Sequence, residues 1–476
     1  MGYRNRRYLS AILLLALTAC SDQPLPPVAE SGELVVLTYR SPTTYYHNAD
    51  EKPAGLEHDL VKLFAEELGV KYRFVTAGNF SQVLPLLVKH KAHLAAAGIP
   101  MGTENGNAIL FGPPYQTAQL QLAYRSGRER PKGWQGVTYS RIAVPVQSRA
   151  VAELKQASKF VRGLHWIETD HQDTGDLLDK VASGDIDFTI ADSHALDVAR
   201  NFQPELAAAF DVGSPQKLAW AFPEDADPEL IKRAHAFFTR ITQDGTLQRL
   251  LDRYYGHVKR LGPIDVATFL QKKDAVLPRY KKLFHEAQRL TGIDWRFLAA
   301  LAYQESHWNP LATSFTNVRG IMMLTEDTAD QMNVSDRLDP RQSILAGAEY
   351  FLSLKDKLPQ RIRDPDRTWM TIAIYNTGYG HVEDARVLAQ RQGLNPDSWL
   401  DLKKTLPLLA KEEYALTVRN GFARGGEAVI MTENVRTYYD ILTKFEPPLH
   451  NSPRHRWIER SWLEGLFGKD EAPARD

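Results

Sequence analysis

Ala300-Leu301-Ala302-Tyr303-Gln304-Glu305-Ser306-His307-Trp308 is the stretch whose reading decides the C-terminal half of this chain. Phe297, Leu298, Leu301 and Ala302 recur at helical spacing, and Glu305 falls four residues beyond Leu301 on the same face. Asp294 suits the N-cap of that helix, just after the breaker Gly292. A carboxylate held against an apolar face loses solvation, so its pKa rises and it stays protonated near neutral pH. A general acid that cleaves a glycosidic bond needs that state. The competing reading is a solvated helix-end glutamate, the commoner fate of this residue type.

Working outward, Asn309-Pro310 follows, then Ser314, then Gly320-Ile321-Met322-Met323-Leu324-Thr325, and much later Ala373-Ile374-Tyr375-Asn376-Thr377-Gly378. This ordered set resembles the lytic transglycosylase domain of the soluble, goose-lysozyme-like type, whose pattern runs E-S-x-x-N-P, a serine, G-L-M-Q, then A-x-Y-N-x-G. Met323 stands where the general pattern has Gln, and Thr325 where it has Met. The form G-I-M-M-L-T resembles the branch called membrane-bound lytic murein transglycosylase F.

The chain has 476 residues, more than one ordinary domain holds. Hydrophobic content of 43% and charged content of 24% are those of a folded globular protein. A formal net charge of zero gives a nucleic-acid partner no electrostatic support. Arg4, Arg6 and Arg7 precede an apolar run over residues 12–17 that is too short to span a bilayer, so residues 1–19 read as a signal peptide. Cys20, the single cysteine, closes Leu17-Thr18-Ala19-Cys20, which resembles a bacterial lipobox. The alternative is an ordinary signal sequence with a chance cysteine. The resemblance implies lipidation of Cys20, anchoring without a spanning helix and, with Ser21 next, a place on the periplasmic face of the outer membrane. Residues 20–32 are then a Pro-rich tether.

From residue 33 to 258 strand and helix patterns alternate, an α/β signature. Gly55-Leu56-Glu57-His58-Asp59-Leu60, Leu110-Phe111-Gly112-Pro113-Pro114-Tyr115 and residues 184–192 and 243–256 resemble the bilobal periplasmic solute-binding fold of the amino-acid-binding type. Residues 122–125 and 218–221 are expected to cross between its lobes. That family's T-x-x-R arginine, which pairs with a ligand carboxylate, has no counterpart in residues 101–107. Asp192 is retained at the position that holds a ligand amino group, and an ordinary strand-end Asp explains it equally well. The expected ligand is a cell-wall peptide or amino acid, and the bland alternative is an empty spacer.

Residues 259–277 read as a linker and 278–445 as almost wholly helical, with helices expected over 280–291, 295–305, 326–332, 343–357, 369–375, 382–392, 414–423 and 427–445. In the tail, 446–476, Trp457, Ile458, Trp462, Leu463, Leu466 and Phe467 form an apolar stripe. It is expected to pack back on the protein, with membrane-surface binding as the other reading.

The transglycosylase resemblance implies a mainly α, lysozyme-like catalytic domain acting on the MurNAc–GlcNAc bond of peptidoglycan strands. Glu305 would serve as acid and then base, and Ser314 would bond the N-acetyl group. Met322 and Met323 would form the cleft wall, with Tyr375 and Asn376 beside the acid and Tyr438 approaching from the last helix. The products would be 1,6-anhydromuramoyl sugars. Only one carboxylate stands out, where hydrolysis normally uses a pair. None of these stretches has metal-ligand spacing, and Gly-rich phosphate loops are absent, so no metal or other cofactor is expected. Two other readings fit: a lysozyme-type hydrolase, and a non-enzymatic solute-binding lipoprotein.

Overall fold

The computed structural model describes residues 25–449 apart from 42, 48–51, 103–107, 171 and 259–260. Cys20, residues 21–24 of the tether, most of the arginine-free loop and the aromatic tail lie outside the described residues. The rest of the expected tether is docked instead of extended, because residues 28–31 form a helical turn that buries Val28 in the core of the first domain. No helix among the described residues is long and apolar enough to cross a membrane.

The first domain is built on β1 (Glu33–Tyr39), β2 (Lys71–Ala77), β3 (Leu94–Pro100), β4 (Ile109–Phe111), β5 (Gln116–Arg125), β6 (Ala143–Pro145), β7 (Ile167–Thr169), β8 (Phe188–Asp192) and β9 (Leu206–Pro223). The main sheet runs β8-β5-β9-β3-β1-β2, with β4 on β9 and β6 paired to β7 alongside. β1 is a continuous apolar run because both its faces are covered. Leu34 and Val36 pack against α1 (Leu56–Leu68), and Val35 and Leu37 against α2 (Val83–Val88). These elements form one lobe. The other lobe joins β6 to β8 with α3 (Arg149–Ser158), α4 (Thr174–Ser183) and α5 (Ser193–Arg200).

The lobes are joined by the long strands β5 and β9, though not where the sequence suggested. Residues 122–124 already pair with β8 in the second lobe, and 218–221 with β3 in the first. The passage lies between, at 116–120 on β5 and 212–218 on β9, where the register shifts. A bulge bends a strand, and apolar runs alone do not mark bulges. The chain returns through α6 (Pro228–Gln243) and α7 (Thr246–Tyr255) onto the first lobe.

Residues 259–277, expected to be a linker, contain α8 (Pro263–Ala275). Its Val266 and Phe269 are buried in the core of the second domain, where Phe269 meets Tyr303, Trp308 and Tyr438. The Gly262-Pro263 pair that reads as a break is the start signal of this helix. The domain continues with α9 (Lys281–Thr291), α10 (Trp295–Ser306), α11 (Glu326–Gln331), α12 (Pro340–Lys357), α13 (Asp366–Thr377), α14 (Tyr379–Arg391), α15 (Trp399–Thr405) and α16 (Gly425–Phe445). The helix expected over 414–423 is absent beyond Ala415. There the backbone N–H groups of Arg419 and Asn420 donate to buried Asp384, and Gly421 takes φ +76°. A side-chain acceptor outcompetes the helical carbonyls.

The two domains meet at the end of α7. Lys403 pairs with Asp252, Arg436 Nη2 donates to the Asp252 carbonyl at 2.9 Å, and His257 lies 2.5 Å from Asp440. Arg436 also pairs with Glu433 at 2.8 Å, and its side chain is only 2% exposed. Removing one partner of a buried ion pair strands the other's charge, at a cost of about 3–5 kcal/mol. Arg436→Ala is therefore expected to lower the unfolding free energy read from urea titration by an amount in that range, whereas Arg424→Ala, exposed at the surface, should leave it unchanged.

Candidate active site

α10 begins where Asp294 accepts the Arg296 N–H at 2.9 Å and ends with His307 in the left-handed region. His307 and Trp308 have φ of +51° and +57°, conformations that cost side-chain-bearing residues energy. The reversal is held by Trp308, whose buried indole N–H donates to the Ala299 carbonyl at 2.8 Å. This turn is what the E-S-H-W stretch encodes beyond the acid itself. It leaves Glu305 on the last turn of an otherwise buried helix.

Opposite lies the loop 311–325. Ser306 Oγ donates to the Ile321 carbonyl at 2.8 Å, and the Tyr375 hydroxyl donates to the Met322 carbonyl at 2.8 Å. Gly320 takes φ +87° and has the Arg337 carbonyl where a Cβ would stand, so only glycine closes this turn. The loop is thereby fixed over the end of α10. The Glu305 carboxyl is pushed up to about 8 by burial. The residue keeps some solvent exposure, which is the access a substrate oxygen requires. Burial and the neighbouring Glu305 in turn push the Tyr375 phenol well above its ordinary value.

The other expected residues divide. Tyr375 stands beside Glu305 at the end of α13, and Asn376 is exposed next to it. Met323 is half-buried. Met322 is not a wall. Its side chain has no exposure and packs so tightly on Gly347 that a Cβ there would lie 2.7 Å from that of Met322. Ser314 belongs to the loop, and its hydroxyl is engaged locally, 3.1 Å from Thr316 Oγ1 and accepting the Val318 N–H at 3.0 Å. Tyr438 stacks on Phe269 at 4.5 Å and meets Tyr303 at 4.8 Å. Tyr303 and Glu305 are two residues apart on a helix and point to nearly opposite sides, so Tyr438 is turned away from the acid.

In the first domain, Asp192 caps α5, accepting the His194 N–H at 2.8 Å. Burial raises its carboxyl pKa. It lines a cavity of about 1450 Å³ together with Tyr39 and Asp173, and the helical domain supplies Asp294, Arg296 and Tyr439 to the same walls. Among the described residues no group of three His, Cys, Asp or Glu is placed to hold a metal ion.

A bilobal binding-protein unit joined to a helical domain with a buried acid at a loop-covered helix end defines a modular transglycosylase-type protein. The pattern of the bacterial extracellular solute-binding proteins, family 3, matches residues 34–257, and that of the transglycosylase SLT domain matches 282–396. A relative from Methylobacillus flagellatus is 50% identical over 442 residues, covering 92% of this chain and 93% of its own. Another from Nitrosospira multiformis is 51% identical over 446 residues, covering 93% of each. Both are called membrane-bound lytic murein transglycosylase F, and the chain belongs to that family. An ancestral arginine-binding protein bound to arginine is 21% identical with a TM-score of 0.44, over 47% of this chain and 98% of that one.

A raised carboxyl pKa favours the fold fully below the ordinary value of 4.5, and that contribution is lost as pH rises toward about 8. Glu305→Gln cannot ionise in either state. Its Tm is expected to track wild type near pH 4.5 and to exceed it by a growing margin up to about pH 8. Calorimetry across that range checks this, and parallel curves would mean a solvated acid.

Proposed function

We propose that the chain cleaves the MurNAc–GlcNAc bond of peptidoglycan without water, and that Glu305 is its single acid and base. The observation that carries this reading is the place of Glu305 on the last turn of α10 facing the 311–325 loop, where burial pushes its carboxyl up to about 8. Glu305 gives its proton to the bridging oxygen as the bond from muramic acid C1 to that oxygen breaks, and GlcNAc leaves as an alcohol. The acetamido oxygen of the muramic acid closes on C1. The 6-hydroxyl of the same sugar then displaces it, and its proton returns to the Glu305 carboxylate. The nucleophile is intramolecular and needs no second base, because it is already at high effective concentration. Tyr375 holds the covering loop in place, Asn376 and Met323 border the glycan, and Ser314 faces it from the loop.

Cys20 carries lipid that holds the protein on the periplasmic face of the outer membrane, and the first domain captures a wall peptide or amino acid through Asp192. Support for the latter is the retained Asp192 on a wall of the large cavity.

Mass spectrometry of products released from purified sacculi is expected to give anhydromuropeptides, and reducing-end products would identify a hydrolase instead. Glu305→Gln is expected to lower turnover by at least a thousandfold while the fold survives. Wild-type kcat/KM should fall above about pH 8 as the acid ionises.

A further inference from the structure

Residues 25–32 fix where the chain enters the first lobe. Val28 is buried, Leu25 packs on the cluster that holds Val83 and Leu87, and the Pro26 carbonyl lies 2.9 Å from His93 Nε2. The Nδ1 of that ring accepts the Val35 N–H at 3.0 Å, so Nε2 carries the hydrogen and donates to Pro26. These contacts lie at the end of the sheet where β1, β2 and β3 begin. Tyr39, at the other end of β1, lines the large cavity. Five residue steps separate Leu25 from Cys20, a reach of at most roughly 18 Å. An anchor at Cys20 therefore brings the strand-start end of the first lobe to the bilayer and leaves the cavity on its far side.

The second lobe points the other way. β6 and β7 run parallel, and their ends lead to the cavity. Just beyond β7, the Asp170 carbonyl accepts from Asn79 Nδ2 of the first lobe at 3.2 Å, and Asp173 lines the cavity. The starts of β6 and β7, with the turns before them, therefore form the tip of the lobe farthest from the anchor. Tyr139, Phe160 and Ile167 are exposed there by 82%, 84% and 66%. The Tyr139 N–H donates to the Gly163 carbonyl at 3.0 Å, and its ring lies 6.3 Å from His165. A Cβ on Gly163 would stand 2.7 Å from the Tyr139 ring, so glycine makes room for it, and Phe160 opens the same turn. Tyr139 has φ +61°, a conformation that costs a bulky residue energy, yet its ring is spent on solvent. The stretches 131–142 and 155–167 that build the tip hold Lys132, Arg141, Lys155, Lys159 and Arg162 and no acidic residue. Arg141 is taken by Asp187, while Lys155, Lys159 and Arg162 are exposed. Glu168, next in the chain, accepts from Trp166 Nε1 at 3.2 Å.

We propose that this tip is a second peptidoglycan-binding surface, separate from the Glu305 site. The rings of Tyr139 and Phe160 lie against the C–H faces of glycan sugars, and Lys159 and Arg162 pair with stem-peptide carboxylates. An aromatic face is electronegative and takes up the polarised C–H groups of a pyranose, and an acid-free basic surface attracts the carboxylates of the wall. A bilayer offers similar chemistry, but the anchor proposed at Cys20 places it at the opposite end. The inference goes beyond the cleavage reading and rests on Cys20 only for that exclusion. A hold on the wall remote from the acid keeps the enzyme at high local concentration on an insoluble lattice between cuts.

The test uses the full-length chain in the cold, where binding to purified sacculi is read before turnover. Tyr139→Gly combined with Phe160→Ser is expected to weaken sacculus binding about tenfold. Tm should not fall, since both side chains are exposed and glycine accepts the Tyr139 backbone. Lys159→Ser combined with Arg162→Ser is expected to weaken binding about threefold at low salt, with the difference lost at high salt. In vesicles of phosphatidylethanolamine and phosphatidylglycerol, a bimane on Phe160→Cys is expected to keep its emission when the lipids are brominated. Unchanged sacculus binding in either double variant, a Tm lower by several degrees, or quenching by brominated lipid would each overturn the inference, the last by making the tip a membrane surface. If the chain does not enter vesicles, the anchor at Cys20 falls, and sacculus binding alone decides on the tip.

Discussion

Partial withdrawal of one carboxyl group from water is the constraint on which the helical domain depends. An ionised carboxylate without a partner cannot be kept in an apolar enclosure, so the group keeps its proton instead. Each nearby device maintains that enclosure. Trp308 is anchored under α10 and turns the chain back, and Ser306 and Tyr375 tie the covering loop down by the carbonyls of Ile321 and Met322. Gly320 lets the loop pass the Arg337 carbonyl. Met322, buried on Gly347, stops the loop from lifting. Several motif residues that look like substrate contacts in the sequence are supports for this enclosure.

That distinction explains what the sequence could and could not reveal. Helix α10, its Asp294 cap and the place of Glu305 at its end were legible because periodicity and capping are local. So was the alternation that makes the first domain α/β. Met322 and Tyr438 were misplaced because motif membership does not say which side of a backbone a side chain takes. Burial of Met322 depends on a glycine in α12, and the partner of Tyr438 is Phe269, which sits on a helix read as linker. The crossing point between lobes was missed by a few residues for the same reason, because bulges depend on neighbouring strands.

The junction of the domains includes a contact of Phe202 with Lys444 and Phe445, and most of its polar bonds run through one short stretch, 252–257. Arg253 and Tyr254 both reach Asp59, at 3.1 and 2.6 Å. The Tyr255 hydroxyl donates to the Thr43 carbonyl at 2.7 Å while its ring lies 4.7 Å from His194 of the other lobe. Asp252 and His257, on either side, bind the helical domain instead. Buried charges in such a cluster have value only while every partner is in place, which makes the junction specific more than strong.

The position of α8 has a consequence for ancestry. Its Phe269 is packed under the turn that presents Glu305, so the first segment after the binding unit is already an organ of the second. A recombination event grafting this helical half onto another protein would have to break the gene before the codon of Pro263 to yield a folded product. A helical half cut after Pro263 would lose the support under that turn, so the boundary of the folding unit lies between α7 and α8.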